Sequence, residues 1–191
     1  MISYINNINQ YFEKLKNVIN KLDINEINQF INILCYTREE GKNIFIMGNG
    51  GSAATASHFC CDFNKGVNTI IKNQKRFKFI CLNDNIATVM AYANDLSYID
   101  IFKEQLKNFL APRDVVIGIS GSGNSENIIK AINYANDNNG ITIALTGFNG
   151  GILKKIAQYS VHVNVDDMQI VEDLHMVFDH LCMKIITNSL Y

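Results

Sequence analysis

"NIFIMGNGGSAATASHF", residues 43–59, passes from a short apolar run through a glycine-rich turn into a segment rich in alanine. The apolar run is typical of a buried β-strand, and alanine favours a helix. A second segment, "GISGSGNSENIIKAI" at residues 118–132, repeats the same order of strand, Gly/Ser turn and helix. The two segments therefore predict an α/β fold in which parallel strands are followed by helices.

The rest of the chain extends this pattern. Further strand-like runs are "RFKFICL", "DVVIGI", "ITIAL" and "VHVNV", and a long closing helix is predicted over residues 168–190. Apolar residues at helical spacing predict two helices before the first strand, one over residues 5–22 and one from Ile24, with Asp23 and Glu26 as a capping box. We expect one domain over residues 1–191, a three-layer α/β/α sandwich with a parallel sheet preceded by two helices.

The composition excludes several classes of protein. Hydrophobic residues make up 48% and charged residues 18% of the chain, as in ordinary globular proteins, and no stretch is long enough to span a membrane. With 17 basic and 18 acidic residues and no basic cluster, neither nucleic acid nor a membrane is an expected partner. The five cysteines form no C-x-x-C pair, and no signal peptide is apparent, so we expect reduced thiols and a cytoplasmic protein.

Both Gly/Ser turns are candidate phosphate sites. Each places backbone amides and the positive end of a helix dipole at the carboxyl edge of the sheet. Neither turn contains Lys or Arg, which favours a small phosphate monoester. A P-loop motif is absent and Glu126 replaces the last glycine of a dinucleotide fingerprint, so no nucleotide cofactor is expected. Each turn taken alone is equally explained as a structural turn.

Candidate catalytic residues lie on two predicted helices. His58 and Asp62 are four residues apart and share one helical face after the first turn. The closing helix carries Gln169, Glu172 and His180, of which the last two can point to the same side. Two histidines and two carboxylates suit zinc or another divalent ion, and the same residues suit proton transfer between adjacent carbons of a bound sugar phosphate. Both interpretations stay open at this point.

The chain resembles the sugar isomerase (SIS) domain and, within it, the phosphoheptose isomerase family. The matching segments, in the family's order, are "GNGGSAATASHF", "LNDNIATVMAYANDLSYIDIF", "GISGSGNSENIIKAI", "LTGFNGG" and "VEDLHMVFDH". The resemblance implies a flavodoxin-like SIS fold and a homotetramer with active sites between subunits. We accordingly expect the N-terminal helices, about residues 1–40, to serve oligomerisation.

The resemblance also implies roles for individual residues. The expected metal or catalytic set is His58, Asp62, Glu172 and His180, with Zn²⁺ or another divalent ion as the cofactor, and Asp62, His180 and Glu172 as the catalytic residues. Two positions depart from the family's pattern, because Asp62 replaces a glutamate and Glu172 replaces a glutamine. The expected substrate-binding and phosphate-binding residues are Asn49, Gly50, Gly51, Ser52, Asp84, Ser120, Gly121, Ser122, Asn124, Ser125 and Gln169.

The resulting expectation is an aldose-ketose isomerase. It would convert sedoheptulose 7-phosphate to D-glycero-D-manno-heptose 7-phosphate through an enediol, with Asp62 as the base and Glu172 as the second choice. Two alternatives remain: a non-catalytic SIS module that binds sugar phosphates or a protein partner, and an isomerase of another ketose phosphate. Asp62 favours an enzyme, because the non-catalytic relatives typically lack a carboxylate on the helix that follows the first Gly/Ser turn.

Overall fold

Five parallel strands form the central sheet of the computed structural model, which describes residues 2–71 and 75–189. The strands are β1 (Ile44–Gly48), β2 (Phe79–Cys81), β3 (Val115–Ser120), β4 (Ile141–Thr146) and β5 (Tyr159–His162). The helices are α1 (Ile5–Ile19), α2 (Ile24–Glu39), α3 (Gly51–Cys61), α4 (Asn68–Ile70), α5 (Ile86–Asp95), α6 (Ile101–Phe109), α7 (Glu126–Asp137), α8 (Leu153–Ile156) and α9 (Met168–Ser189). A π-helical turn, Asp62–Val67, follows α3, and a 3₁₀ turn, Tyr98–Asp100, precedes α6.

The sheet order β2-β1-β3-β4-β5 is the flavodoxin-like order, which confirms the predicted fold class. In this order the chain moves from β1 outward to β2 and then returns to the other side of β1 for β3. Gly48 at the end of β1 lies opposite Ile119 near the end of β3. The two Gly/Ser turns that follow these strands are therefore neighbours.

The sheet is buried on both faces, because successive side chains of a strand point to opposite sides. Ile44 and Ile46 of β1 belong to the core under α1, α2, α3 and α9, which also contains the stacked rings of Phe59, Phe63 and Phe79. Phe45 and Met47 belong to the opposite core under α6 and α7. This alternation explains why the strands have continuous apolar sequences, and it confirms the predicted three-layer arrangement.

The apolar stripe of α1 divides into two adjacent rows. Leu15 packs on the core beside Tyr11 and Val18, and so does Leu22, which lies beyond the end of α1 because the helix stops at Ile19, three residues before the predicted end. Four residues that the sequence places on the same stripe are instead exposed: Ile5, Ile8, Phe12 and Ile19. The chain itself thus covers only half of the apolar arc of this helix.

Two local expectations need correction, the capping box of α2 and the start of β5. Asp23 caps α2 by accepting a bond from the Asn25 amide, but Glu26 does not complete a capping box, because its carboxylate accepts bonds from Ser160 Oγ and the His162 amide of β5. β5 starts at Tyr159, two residues before the predicted run, because its ladder partner is Ile143 of β4. The closing helix begins at Met168 as expected, and its predicted last residue, 190, lies outside the described residues. Within residues 2–71 and 75–189, no helix combines the length and apolarity needed to cross a membrane.

Candidate functional site

The carboxyl ends of β1 and β3 open into a small pocket of about 120 Å³. A crevice is expected here, because helices leave the sheet on opposite sides where the strand order reverses. Its lining consists of Asn49, Ser52, Ile119, Ser120, Gly121, Ser122, Ser125, Met168 and Glu172. The fold thus brings together, from both turns, the four serines that the sequence assigns to a phosphate.

Hydrogen bonds within the second turn hold three of these serines in place. The hydroxyl oxygens of Ser120 and Ser125 are 3.1 Å apart, and Ser122 Oγ accepts a bond from the Asn124 amide at 3.2 Å. The lining contains hydroxyls, amides and one carboxylate, Glu172, but neither Lys nor Arg. An anion bound here would be held by neutral donors and by the N-termini of α3 and α7.

Close contacts and backbone conformation explain three glycines at the first turn. A Cβ on Gly48 would lie 2.4 Å from the carbonyl oxygen of Ser52, so the turn can bend back only without a side chain. A Cβ on Gly51 would lie 2.9 Å from Glu172 Oε1. Gly50 has a φ of 55°, which favours glycine. The first turn is therefore packed directly against the carboxylate of α9.

Five predicted binding residues lie outside this lining: Gly50 and Gly51 of the first turn, and Asp84, Asn124 and Gln169. Asp84 is exposed in the turn after β2, and Gln169 is exposed in the first turn of α9. Asn124 is also exposed, and its side-chain oxygen accepts a bond from the Ile152 amide at 3.2 Å. Asn124 thus fastens the second turn to the segment that precedes α8.

Two asparagines that the sequence analysis missed, Asn83 and Asn127, fix the first turn. Asn49 and Asn127 form a reciprocal amide pair, with each Nδ2 donating to the other Oδ1 at 2.9 Å. Asn49 Oδ1 also accepts a bond from the Tyr98 hydroxyl at 2.8 Å. Asn83 donates to the Gly48 carbonyl at 2.8 Å and accepts from its amide at 3.1 Å. The available signal for Asn127 was its place just after the second turn, as Asn49 stands just after β1.

A second group of polar side chains lies where α3 meets α9. One donor atom each from His58, Asp62, Asp179 and His180 lies within 4.8 Å of the others. The two histidine Nε2 atoms are 3.2 Å apart, and His58 Nε2 lies 3.7 Å from Asp62 Oδ2 and 4.0 Å from Asp179 Oδ2. The distance from His180 Nε2 to Asp62 Oδ2 is 3.9 Å. We call these four residues the His-Asp cluster.

The π-helical turn helps to form the His-Asp cluster. It begins at Asp62, immediately after α3, and it packs against α9. Such wide turns are uncommon and frequent at functional sites. Asp62 retains 20% of its side-chain exposure, whereas the histidines are more open, at 43% for His58 and 57% for His180. Three members of the cluster are therefore accessible to a ligand.

Asp179, the fourth member, was not predicted. Its side chain has no exposed surface, and neither carboxylate oxygen has a hydrogen-bond partner among the described residues. Burial, with a smaller contribution from the charge of Asp62, raises the pKa of Asp179 to about 8. The available signal was an aspartate next to His180 on the apolar face of a long helix, where an unpaired carboxyl group is costly.

The expected fourth member, Glu172, lies elsewhere. Glu172 and Asp179 are seven residues apart, so they share one side of α9 but are separated by about 10 Å along its axis. Glu172 consequently faces Gly51 and lines the serine pocket, while Asp179 joins the histidines. The structure thus groups Asp179 with His58, Asp62 and His180, while the metal or catalytic role expected for Glu172 stays a prediction.

The His-Asp cluster fits a divalent metal ion in its chemistry and its dimensions. Imidazole nitrogens and carboxylate oxygens are common zinc ligands, and bonds of about 2.0–2.1 Å in a tetrahedral site separate the donors by about 3.3 Å. Four of the separations are 3.2–4.0 Å, and all four donor atoms lie within 4.8 Å of one another, which is close to this value or wider. The unpartnered oxygens of Asp179 also lack the donor or cation that a buried carboxylate requires.

Comparison with known proteins gives consistent matches. The family described as SIS domain matches residues 4–147. The chain is 34% identical over 180 residues to a probable phosphoheptose isomerase of Thermoplasma acidophilum, covering 94% of this chain and 97% of that protein. It is 32% identical over 187 residues to a phosphoheptose isomerase of Syntrophotalea carbinolica, covering 96% and 94%. The solved phosphoheptose isomerase structure from Francisella tularensis superposes with a TM-score of 0.88 at 27% identity, over 98% of this chain and 100% of that one.

Proposed function

The chain belongs to the SIS domain family, with phosphoheptose isomerases among its relatives, and we propose that it is itself a phosphoheptose isomerase, an enzyme of heptose metabolism. It interconverts sedoheptulose 7-phosphate and D-glycero-D-manno-heptose 7-phosphate. The observation that carries this proposal is the placement of an anion pocket and a group of acid-base side chains about two turns apart along one helix, α9. That spacing suits a linear sugar whose phosphate and reacting carbons lie at opposite ends.

The serine pocket binds the phosphate. Ser52, Ser120, Ser122 and Ser125 line it, so hydroxyl groups and the N-terminal amides of α3 and α7 can donate to the phosphate oxygens. The Asn49–Asn127 pair holds both turns in position before the substrate arrives. A preformed pocket lowers the ordering cost of binding.

The His-Asp cluster carries out the proton transfers. Asp62 removes the proton from C1 of the ketose, the C2 carbonyl oxygen gains a proton to give the enediol, and a proton is then delivered to C2 as the C1 oxygen becomes the aldehyde. His180 is the most exposed member and moves protons between the two sugar oxygens. In a metal-loaded site, Zn²⁺ held by the cluster would take over this role from His180 and polarise these oxygens as a Lewis acid.

The experiment that tests this function is direct. The purified protein, with zinc supplied, should produce heptose 7-phosphate from sedoheptulose 7-phosphate, followed by ³¹P and ¹H NMR. In D₂O the product should acquire deuterium at C2, because the transferred proton exchanges with solvent through the base. Fructose 6-phosphate serves as the comparison substrate for the alternative of another ketose phosphate. Binding of the sugar phosphate without turnover, at any zinc concentration, would refute the proposed activity.

The exposed row of α1 supports self-association. Ile5, Ile8, Phe12 and Ile19 form an apolar surface that the rest of the described chain leaves exposed, and the His-Asp cluster also opens to solvent. A second copy packed here would bury the row, and we propose the homotetramer expected for the family. Multi-angle light scattering should give four times the monomer mass, and Phe12→Glu should lower it. The unpaired state of all five cysteines suits the reducing cytoplasm, which we propose as the compartment.

A further inference from the structure

We propose that Asn64 is a positioning residue, which fixes the π-helical turn from which Asp62 reaches the substrate. This inference rests on the proposed function, because Asp62 is the base assigned there. Asn64 follows Asp62 by two residues and belongs to the same turn, Asp62–Val67. Its role is visible only from the hydrogen bonds that it makes, since no sequence motif includes it.

Two asparagines bind the outer edge of β2 to the helical segment after α3. Asn64 Nδ2 donates to the Phe79 carbonyl at 2.8 Å, and Asn64 Oδ1 accepts from the Phe79 amide at 2.9 Å. Asn68 repeats this pattern two residues earlier in the strand, with bonds of 2.9 and 2.8 Å to the carbonyl and the amide of Phe77. Because β2 is an edge strand, these side-chain amides take the place of a neighbouring strand. The π-helical turn is thus fastened to the sheet.

The side chain of Asp62 has no such anchor of its own. Within residues 2–71 and 75–189 its carboxylate accepts no hydrogen bond, and its Oδ2 lies 3.7 Å from His58 Nε2 and 3.9 Å from His180 Nε2. An aspartate side chain has a single methylene group and few rotamers, so its carboxylate follows the position of its backbone. The contacts that hold the turn therefore place the base.

The two residues that follow Asp62 both contact Phe79. The Phe63 ring stacks on the Phe79 ring with 4.6 Å between the centroids, and Asn64 binds both polar groups of the Phe79 backbone. A π-helical turn is rarer than a regular α-helical one, so its surroundings must impose it. Loss of the Asn64 bonds leaves the Phe63 ring as the contact with Phe79 and lets the backbone at Asp62 shift. A shift of about 1 Å in a reacting group costs about 100-fold in rate.

Asn68→Ala is the matched control for Asn64→Ala. Asn68 makes the same pair of backbone bonds, but it is the first residue of α4 and lies beyond the end of the turn. Asn68 is buried whereas Asn64 is exposed, so Asn68→Ala leaves buried backbone groups without partners and should cost more stability. A purely structural role for both asparagines would therefore make Asn68→Ala the more damaging variant for activity as well.

Thermal unfolding and steady-state kinetics on sedoheptulose 7-phosphate, with zinc supplied, separate the two roles. Asn64→Ala should lower kcat roughly 10–100-fold and leave KM within about threefold, because the serine pocket is unchanged. Asn68→Ala should lower the Tm more than Asn64→Ala does and keep kcat within about threefold of the wild type. Asn64→Gln, which keeps both the donor and the acceptor, should recover part of the lost kcat, and it replaces the alanine variant if that protein does not fold.

Crystal structures of the wild type and the variants, grown under the same conditions, test the positioning without turnover. The distance from Asp62 Oδ2 to His58 Nε2, 3.7 Å in the wild type, should lengthen in Asn64→Ala and stay unchanged in Asn68→Ala. If the wild type shows no turnover, the proposed function fails and this structural comparison alone decides the positioning role. An unchanged position of Asp62 in Asn64→Ala, or equal kcat values for the two alanine variants, overturns it.

Discussion

The metal-free protein should become more stable when Asp179 is replaced by asparagine, and the gain should depend on pH. Asp179 has a pKa of about 8 in the folded protein, against 3.8 for an ordinary aspartate, because burial disfavours its charged form. The folded state therefore binds this proton more tightly than the unfolded state. The contribution of this proton to the free energy of unfolding is fully present below the pKa of Asp179 in the unfolded chain, and it is lost progressively as the pH rises from about 4 to about 8.

The magnitude follows from the two pKa values. At about 1.4 kcal/mol per pKa unit, ionisation of Asp179 costs the metal-free protein roughly 5 kcal/mol by pH 8. A buried asparagine amide without a partner costs about 1–3 kcal/mol, so the net gain at pH 8 is roughly 2–4 kcal/mol. For a chain of this length that corresponds to a rise in Tm of about 5–15 °C. At pH 4 the carboxyl group is neutral, and the two proteins should melt within a few degrees of each other.

The assay is thermal unfolding of both proteins after dialysis against EDTA, followed by circular dichroism at intervals between pH 4 and pH 8.5. Asp137→Asn, which removes an exposed carboxylate, is the control and should show no such pH-dependent gain. An Asp179→Asn protein that melts below the wild type at pH 8, or a difference that is the same at pH 4 and pH 8, would refute the reasoning. Added Zn²⁺ should raise the Tm of the wild type more than that of the variant.

Three further predictions concern the pocket and the core. Ser122→Ala should raise the KM for the sugar phosphate about tenfold or more with little change in kcat, because the hydrogen bond from the Ser122 hydroxyl to the charged phosphate is lost. Steady-state kinetics test this, and an unchanged KM argues against the phosphate role of Ser122. Gly48→Ala should unfold at a markedly lower temperature, since its Cβ would lie 2.4 Å from the backbone oxygen of Ser52. Gly51→Ala should lower the Tm less, because only the flexible end of Glu172 must move. Equal Tm values for the two variants would contradict this. Phe63→Ala should cost about 3–5 kcal/mol in chemical denaturation, because Phe63 is fully buried and stacks on two other rings, and a loss under ~1 kcal/mol would count against that packing.

The sequence predicted the fold well because its strongest signals are periodic. Continuous apolar strands and the two Gly/Ser turns were enough to indicate a doubly covered parallel sheet, and the turns themselves placed the serines at adjacent strand ends. The resemblance added the flavodoxin-like strand order and the roles of individual residues. The sheet was inferred from local sequence patterns and the resemblance from the order of motifs, and a single sequence displays both.

The structure differs from the sequence-based expectations where tertiary contacts determine which partner a side chain reaches. Spacing along α9 allowed Glu172 to point toward His180, but the packing of α9 against α3 set Glu172 beside Gly51 and Asp179 beside His58. Likewise, Glu26 had the spacing of a capping box, yet its carboxylate found donors on β5. Which partner a side chain reaches depends on the distance between elements, and helical periodicity does not encode that distance.

The reciprocal amide pair of Asn49 also bears on how the protein ages. Asn49 is followed by Gly50, and asparagine before glycine is chemically labile because its amide readily hydrolyses to a carboxyl group. Such a conversion would replace the nitrogen that donates to Asn127 with a second oxygen, and it would add a negative charge to the rim of an anion pocket. The hydrogen bonds to Asn127 restrain the Asn49 side chain, and its hydrolysis would weaken phosphate binding in the pocket. The chemical lifetime of the protein and its recognition of substrate thus depend on the same side chain.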